Sequence, residues 1–189
     1  MKIVLASGSP RRKEILTEFG YAFSVEKSNF VERDDQADAR FVALKNAEGK
    51  ANDVFLRLSG SGKAGNFAVV GADTVVFLDG VILGKPKDRF DAVRILKMLS
   101  GKTHTVVTGY CVLSANIRVV GIDETIVCFN ELPDETIGEY IDRCKPFDKA
   151  GSYGIQDGFP LVNYVKGSLY NVIGFPIEKI KPVLDGLLK

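Results

Sequence analysis

One short stretch near the start of the chain, "ASGSPRRKEIL", puts two serines, a glycine, a proline and two adjacent arginines directly after an apolar run. Ser7, Ser9, Arg11 and Arg12 are the residue types that hold a polyanion. A guanidinium fork donates two parallel hydrogen bonds to phosphate oxygens. Further along, "GADTVV" places Asp73 behind two small residues at the end of an apolar run, with Thr74 beside it. Strand ends in α/β folds are where ligands bind, and a carboxylate there can serve as a general base. The plainer alternative is a turn-forming Asp that caps a neighbouring N–H, with Thr74 no more than a β-branched strand residue. Lys85, between Gly84 and Pro86, reads either as an ammonium positioned by a rigid turn or as an ordinary solvated lysine; Lys50, by itself, is an ordinary solvated lysine. In "DKAGSYGIQDG", Gln156 carries an amide able to read a base edge, or is an exposed glutamine of a hairpin loop.

Other chemistries are poorly served. "SGSGKAG" has Arg57 where a P-loop needs its leading glycine and Ala64 where it needs Ser or Thr, and "SGKTH" has Leu96 in place of that glycine. His104, the single histidine, sits among β-branched residues and reads as structural, so a general base must be a carboxylate or a water. Cys111, Cys128 and Cys144 lie far apart without a CxxC, which disfavours zinc and a disulfide framework and makes a reducing cytoplasm the default expectation. The net charge of +1 over 189 residues argues against a polynucleotide track and for a small phosphorylated ligand met by a local cluster. The apolar run 3–6 is too short for a signal peptide, and no stretch approaches a membrane span.

The elements that must position these groups follow from periodicity. Residues 2–6 predict a buried strand, and Ser9 and Pro10 predict an N-cap and first helical residue, with Ile15, Leu16 and Phe19 inward. That order aims a helix N-terminus, with its unpaired N–H groups, at the loop. A polar segment over 26–40 precedes a helix over 41–58 and a loop over 58–66. A strand follows, expected to break at 71–74, then a hairpin turned at Asp79–Gly80. Asp88 caps a helix whose inward residues read as Phe90, Val93, Leu96 and Leu99. β-rich runs over 103–113 and 117–129 follow, then helices from Asp134 and from Pro176, the last with Ile177, Ile180, Leu184 and Leu187 inward. The irregular alternation predicts a mixed α/β fold.

Taken together, "LASGSPRRKEIL", "KA" at 50–51, "GADTVV", "LGKP", "LSGKTHTVVTG", "DKAGSYGIQ" and "VKGSLYNVIGFP" resemble, in order and spacing, the Maf family of nucleotide pyrophosphatases. The resemblance implies one two-lobed α/β domain over residues 1–189, built around a long, twisted mixed sheet of the Maf and ITPase-like kind. It implies flanking helices, a cleft between the lobes and a homodimer. It also implies hydrolysis of a nucleoside triphosphate to the monophosphate and pyrophosphate with a divalent metal, Mg or Mn. Arg11, Thr74 and Gln156 look like the specificity residues of the dTTP/UTP branch, and Asp73 matches the proton acceptor. Ser7, Ser9, Arg12, Lys50 and Lys85 match phosphate-binding positions. Where the family often has an adjacent acidic pair that helps hold the metal, this chain has Glu32 followed by Arg33; Asp34 is then a rival to Glu32, alongside Asp73. A nucleotide-binding regulatory module that has lost turnover is the alternative reading, and only an enzyme releases pyrophosphate.

Overall fold

The computed structural model describes residues 1–33, 38–60 and 66–189. The apolar opening run forms β1 (Lys2–Leu5), and Pro10, whose fixed φ suits a first helical position, starts α1 (Pro10–Glu18) with Ile15 and Leu16 buried. Ser9 stands at the N-cap, but its hydroxyl makes no capping bond; its own N–H donates to the Ser7 hydroxyl at 3.2 Å. A short strand not anticipated from the sequence, β2 (Phe23–Val25), precedes α2 (Ala39–Gly60). β3 (Phe67–Leu78) and β4 (Val81–Leu83) form the expected hairpin, with Asp79 and Gly80 both at positive φ as its tight turn requires. α3 (Arg89–Leu99) starts behind Asp88, whose carboxylate accepts from the Asp91 N–H at 2.8 Å. β5 (Thr103–Leu113), β6 (Arg118–Phe129), α4 (Asp134–Cys144), β7 (Val162–Lys166), α5 (Leu169–Ile173) and α6 (Ile177–Leu188) follow. Among the described residues no helix is long and apolar enough to cross a membrane.

The strands form one mixed sheet in the order β2-β1-β3-β5-β6-β7, with β4 also on β3. β1 runs parallel to β2 and β3, and every other pairing is antiparallel. An apolar cluster including Ile3, Leu5, Leu16, Phe175 and Ile180 binds α1 and α6 to one end of the sheet. Another, including Leu96, Leu99, Phe129, Ile137 and Tyr140, binds α3 and α4 to the other end.

Two local expectations are corrected. Phe90 lies on the outer side of α3, 85% exposed, because Ala92, Ile95, Leu96 and Leu99 form the buried face and Phe90 falls outside that arc. And β3 is not broken at 71–74: its backbone pairs continuously with β5 from Val69 to Phe77. What breaks is the pairing on its other edge. β1 covers that edge from Phe67 to Val70, and β4 covers it from Val76 to Leu78. Residues 71–75 lie in the gap between them.

His104 is a core residue, as its setting suggested. It is buried, its Nε2 is 2.9 Å from the Tyr153 hydroxyl, its ring packs edge-on against Phe129 and Tyr153, and its Nδ1 has no partner among the described residues. Burial pulls the imidazole from 6.5 down to about 4. The unfolded chain therefore takes up this proton first, so stability is full above pH 6.5 and declines as pH falls towards 4, by about 3 kcal/mol in all. Thermal melts between pH 7 and 5 are expected to show a falling Tm that His104→Gln flattens. An equally steep fall in the variant would refute the assignment.

Candidate active site

The open edge of β3 is the floor of a cleft of about 740 Å³. Side chains alternate along a strand, so Asp73 and Thr74 leave it on opposite faces. Asp73 faces α2, and two glycines explain how close that helix comes. A methyl on Gly71 would collide with the backbone carbonyl of Ala47, and one on Gly109, which pairs with Asp73, with that of Ala43. The small face of α2 (Ala43, Ala47, Ala51) lies almost directly on the sheet, which brings Asn46 and Lys50 to Asp73. Lys50 Nζ donates to Asp73 Oδ1 at 2.6 Å, and Asn46 Nδ2 donates to Oδ2 at 2.9 Å. All three side chains are buried. Asp73 is thus mid-strand, not at a strand end, and it is no turn cap; it reaches the cleft because the neighbouring strand β1 has ended.

Glu32 approaches from the polar segment, its Oε1 2.7 Å from Lys50 Nζ. Two carboxylates therefore converge on one ammonium. Burial alone would raise the Glu32 carboxyl, but Lys50, Lys85 and Arg12 outweigh it and hold it below its ordinary value. Asp34 lies outside the described residues.

On the other face, Arg12 ties the opening loop to β3. Its Nε donates to the Gly174 carbonyl at 2.8 Å, Nη1 to the Ser7 hydroxyl at 3.1 Å and Nη2 to the Thr74 hydroxyl at 3.3 Å. Thr74 in turn shares a 3.0 Å hydrogen bond with Thr108, whose hydroxyl donates to the Asn171 carbonyl. Burial lowers the Arg12 guanidinium, while the carboxylates of Asp73 and Glu32 work to raise it. Arg11 reaches across the cleft to Asp148, 2.8 Å away, on the turn Pro146–Asp148. Lys85 stands exposed at the rim, and its turn is fixed by a hydrogen bond from the Gly151 N–H to the Gly84 carbonyl, 3.0 Å. Gln156 is exposed on the turn Ile155–Asp157, which Tyr140 anchors by accepting from the Gly154 N–H and donating to Asp157.

Every described residue singled out from the sequence lines this cleft: Ser7, Ser9, Arg11, Arg12, Glu32, Lys50, Asp73, Thr74, Lys85 and Gln156. Within it Arg11 is engaged with Asp148 and Thr74 with Arg12. Asn46, Asp148 and Lys149 were missed. "DKAG" was a signal for the last two, whereas an asparagine inside a helical run carries none. Among the described residues, seven cationic side chains and three carboxylates line the cleft, although the whole chain nets only +1. The helix N-terminus of α1 adds to that positive field, so the site suits a small polyanion.

The fold is similar to that of the Staphylococcus aureus Ham1 protein, with a TM-score of 0.52 over 98% of this chain and 99% of that one at 12% identity. Much nearer in sequence is the dTTP/UTP pyrophosphatase of Thermococcus onnurineus, 47% identical over 93% of this chain and 92% of its own length. That of Pyrococcus furiosus is 46% identical over 97% and 94%, and that of Caldicellulosiruptor saccharolyticus 42% over 98% and 94%. The family description for Maf-like proteins matches residues 2–187. With that span and these identities, the chain belongs to the Maf family.

Proposed function

We propose that this chain hydrolyses dTTP and UTP between the α and β phosphates, giving the nucleoside monophosphate and pyrophosphate. The observation that carries the reading is the likeness, over more than nine-tenths of both chains, to proteins named for that activity. The cleft supports it with a cationic lining around one buried carboxylate.

In this reading the triphosphate lies over the opening loop and the start of α1, with Ser7, Ser9 and Arg12 on its phosphate oxygens. Lys50 and Lys85 neutralise the rest, including the charge that grows on the departing pyrophosphate. Asp73 orients the attacking water and accepts its proton. Its oxygens already take one hydrogen bond each from Lys50 and Asn46, and a carboxylate has about four acceptor positions, so room remains for a water. The water oxygen bonds to the α-phosphorus as the bridge to the β-phosphate breaks. Arg11, Thr74 and Gln156 set the base preference, Gln156 by offering the acceptor and donors that match the uracil edge.

A divalent cation, Mg or Mn, fits the donor set. Among the described residues no cluster of three acidic, His or Cys side chains forms a dedicated cage, but such ions are commonly held by one or two carboxylates plus substrate phosphates. Glu32 and Asp73 would hold it, and when bound it supplies charge neutralisation and a more acidic water. A cytoplasmic homodimer of single-domain subunits completes the reading.

The test is a panel of nucleoside triphosphates assayed with Mg or Mn for pyrophosphate. dTTP and UTP are expected to yield monophosphate and pyrophosphate while ATP and GTP stay largely intact. Orthophosphate as the first product, or equal turnover of all four, would overturn the proposal.

A further inference from the structure

We propose that Asn46 is a positioning residue for the reaction: from α2 it fixes the Asp73 carboxylate and fastens the backbone that carries Glu32 beside it. The inference rests on the reading of Asp73 as the proton acceptor.

Asn46 is 2% exposed on the helix face that packs against the sheet, with Ala43 and Ala47 beside it. A polar amide in such a place is costly unless its hydrogen bonds are made, and an apolar residue would fill the volume without that demand. Here the oxygen and both amide protons are engaged. Oδ1 accepts from the Arg33 N–H at 2.8 Å; Nδ2 spends one proton on the Arg33 carbonyl and the other on Asp73 Oδ2, both at 2.9 Å. The two bonds to Arg33 imitate a neighbouring strand. The third reaches the carboxylate.

The geometry of Asp73 shows what that bond contributes. Lys50 holds Oδ1 and Asn46 holds Oδ2, so the plane of the carboxylate is set from both ends. With Asn46 gone, only the Lys50 contact would resist rotation about the terminal torsion, which is intrinsically broad.

The same amide is one of several fastenings that lay the polar segment along α2, among them Arg57, which donates to the Lys27 carbonyl at 2.6 Å. Asp53 accepts from the Asn29 N–H and the Ser28 hydroxyl. One turn earlier, the Phe30 ring fills the space that a side chain on Gly49 would need. Asn46 completes the row at Arg33, the neighbour of Glu32. Without it, the backbone next to Glu32 would lose its two bonds to α2, and the contact between Glu32 and Lys50 would lose that support.

The experiment measures kcat and KM for UTP in Asn46→Leu, which keeps the branched shape and loses every bond, and in Asn46→Ser, the fallback should the larger leucine fail to fold. The expected result is a kcat lowered about 10–100-fold, as for other residues that orient a reacting group, with KM nearly unchanged and circular dichroism like wild type. In an Asp73→Asn background the same change is expected to cost much less than in wild type, because the part of its effect that runs through Asp73 is already gone and only the support of Glu32 remains to be lost. Wild-type kcat in both variants, an equal loss in the Asp73→Asn background, or a raised KM at constant kcat would each overturn the proposal. A wild-type chain that leaves UTP intact would instead sink the functional reading itself.

Discussion

Asp73→Asn is expected to lower kcat for UTP by at least about 100-fold, the lower end of what a general base contributes. The substitution keeps the shape and removes the carboxylate proposed as proton acceptor. It also sets an amide against Asn46. The oxygen of the new amide can still accept from Lys50, but its NH2 group then faces the Asn46 NH2, donor against donor, where Oδ2 accepted at 2.9 Å. Nucleotide affinity should hold or tighten, since a negative charge leaves a cleft that takes a polyanion. Single-turnover measurements beside direct binding separate the two effects. Near-normal turnover in the variant would remove Asp73 from the chemistry altogether.

Arg12→Ala is expected to give the largest loss of triphosphate affinity. One charge-assisted contact amounts to about 1.5–3 kcal/mol, or roughly 10–150-fold in Kd. UMP should be affected far less if the guanidinium serves the β and γ groups, and equal losses for UMP and UTP would place it at the α-phosphate. Stability should suffer as well, because the Gly174 carbonyl and the hydroxyls of Ser7 and Thr74 lose a common donor. Lys85→Ala is the useful contrast. That ammonium is exposed at the rim, so affinity should fall with Tm unchanged.

Much of this arrangement was legible in the sequence, for reasons that are local. The strand-loop-helix opening follows from an apolar run, small residues and a proline at the first helical position. The hairpin follows from Asp79–Gly80, and α3 from Asp88 and its apolar repeat. The misreadings share another cause. Ala72 and Gly71 look like a break because small residues often end strands, yet Gly71 is small because α2 lies on top of it. Whether β3 has a neighbour at 71–75 depends on where β1 and β4 stop, which no window of sequence around Asp73 records. Phe90 reads as inward on residue type alone. β2 and β7, at three and five residues, are too short to show a period. Asn46 was invisible for a different reason: its partners are 13 and 27 residues away, and on a helical wheel it is merely one polar residue among many.

The two glycines under α2 divide the molecule into a part that resists change and a part that accepts it. At Gly71 and Gly109 even a single methyl group would have to displace a whole helix, and with it Asn46 and Lys50, so the floor has no gradual route to a new shape. The rim is different: Lys85 and Gln156 sit on turns facing solvent, where a side chain can be exchanged without moving a neighbour's backbone. For anyone redesigning this scaffold, the floor under α2 is a fixed chassis, and Lys85 and Gln156 are exchangeable fittings mounted on its edge.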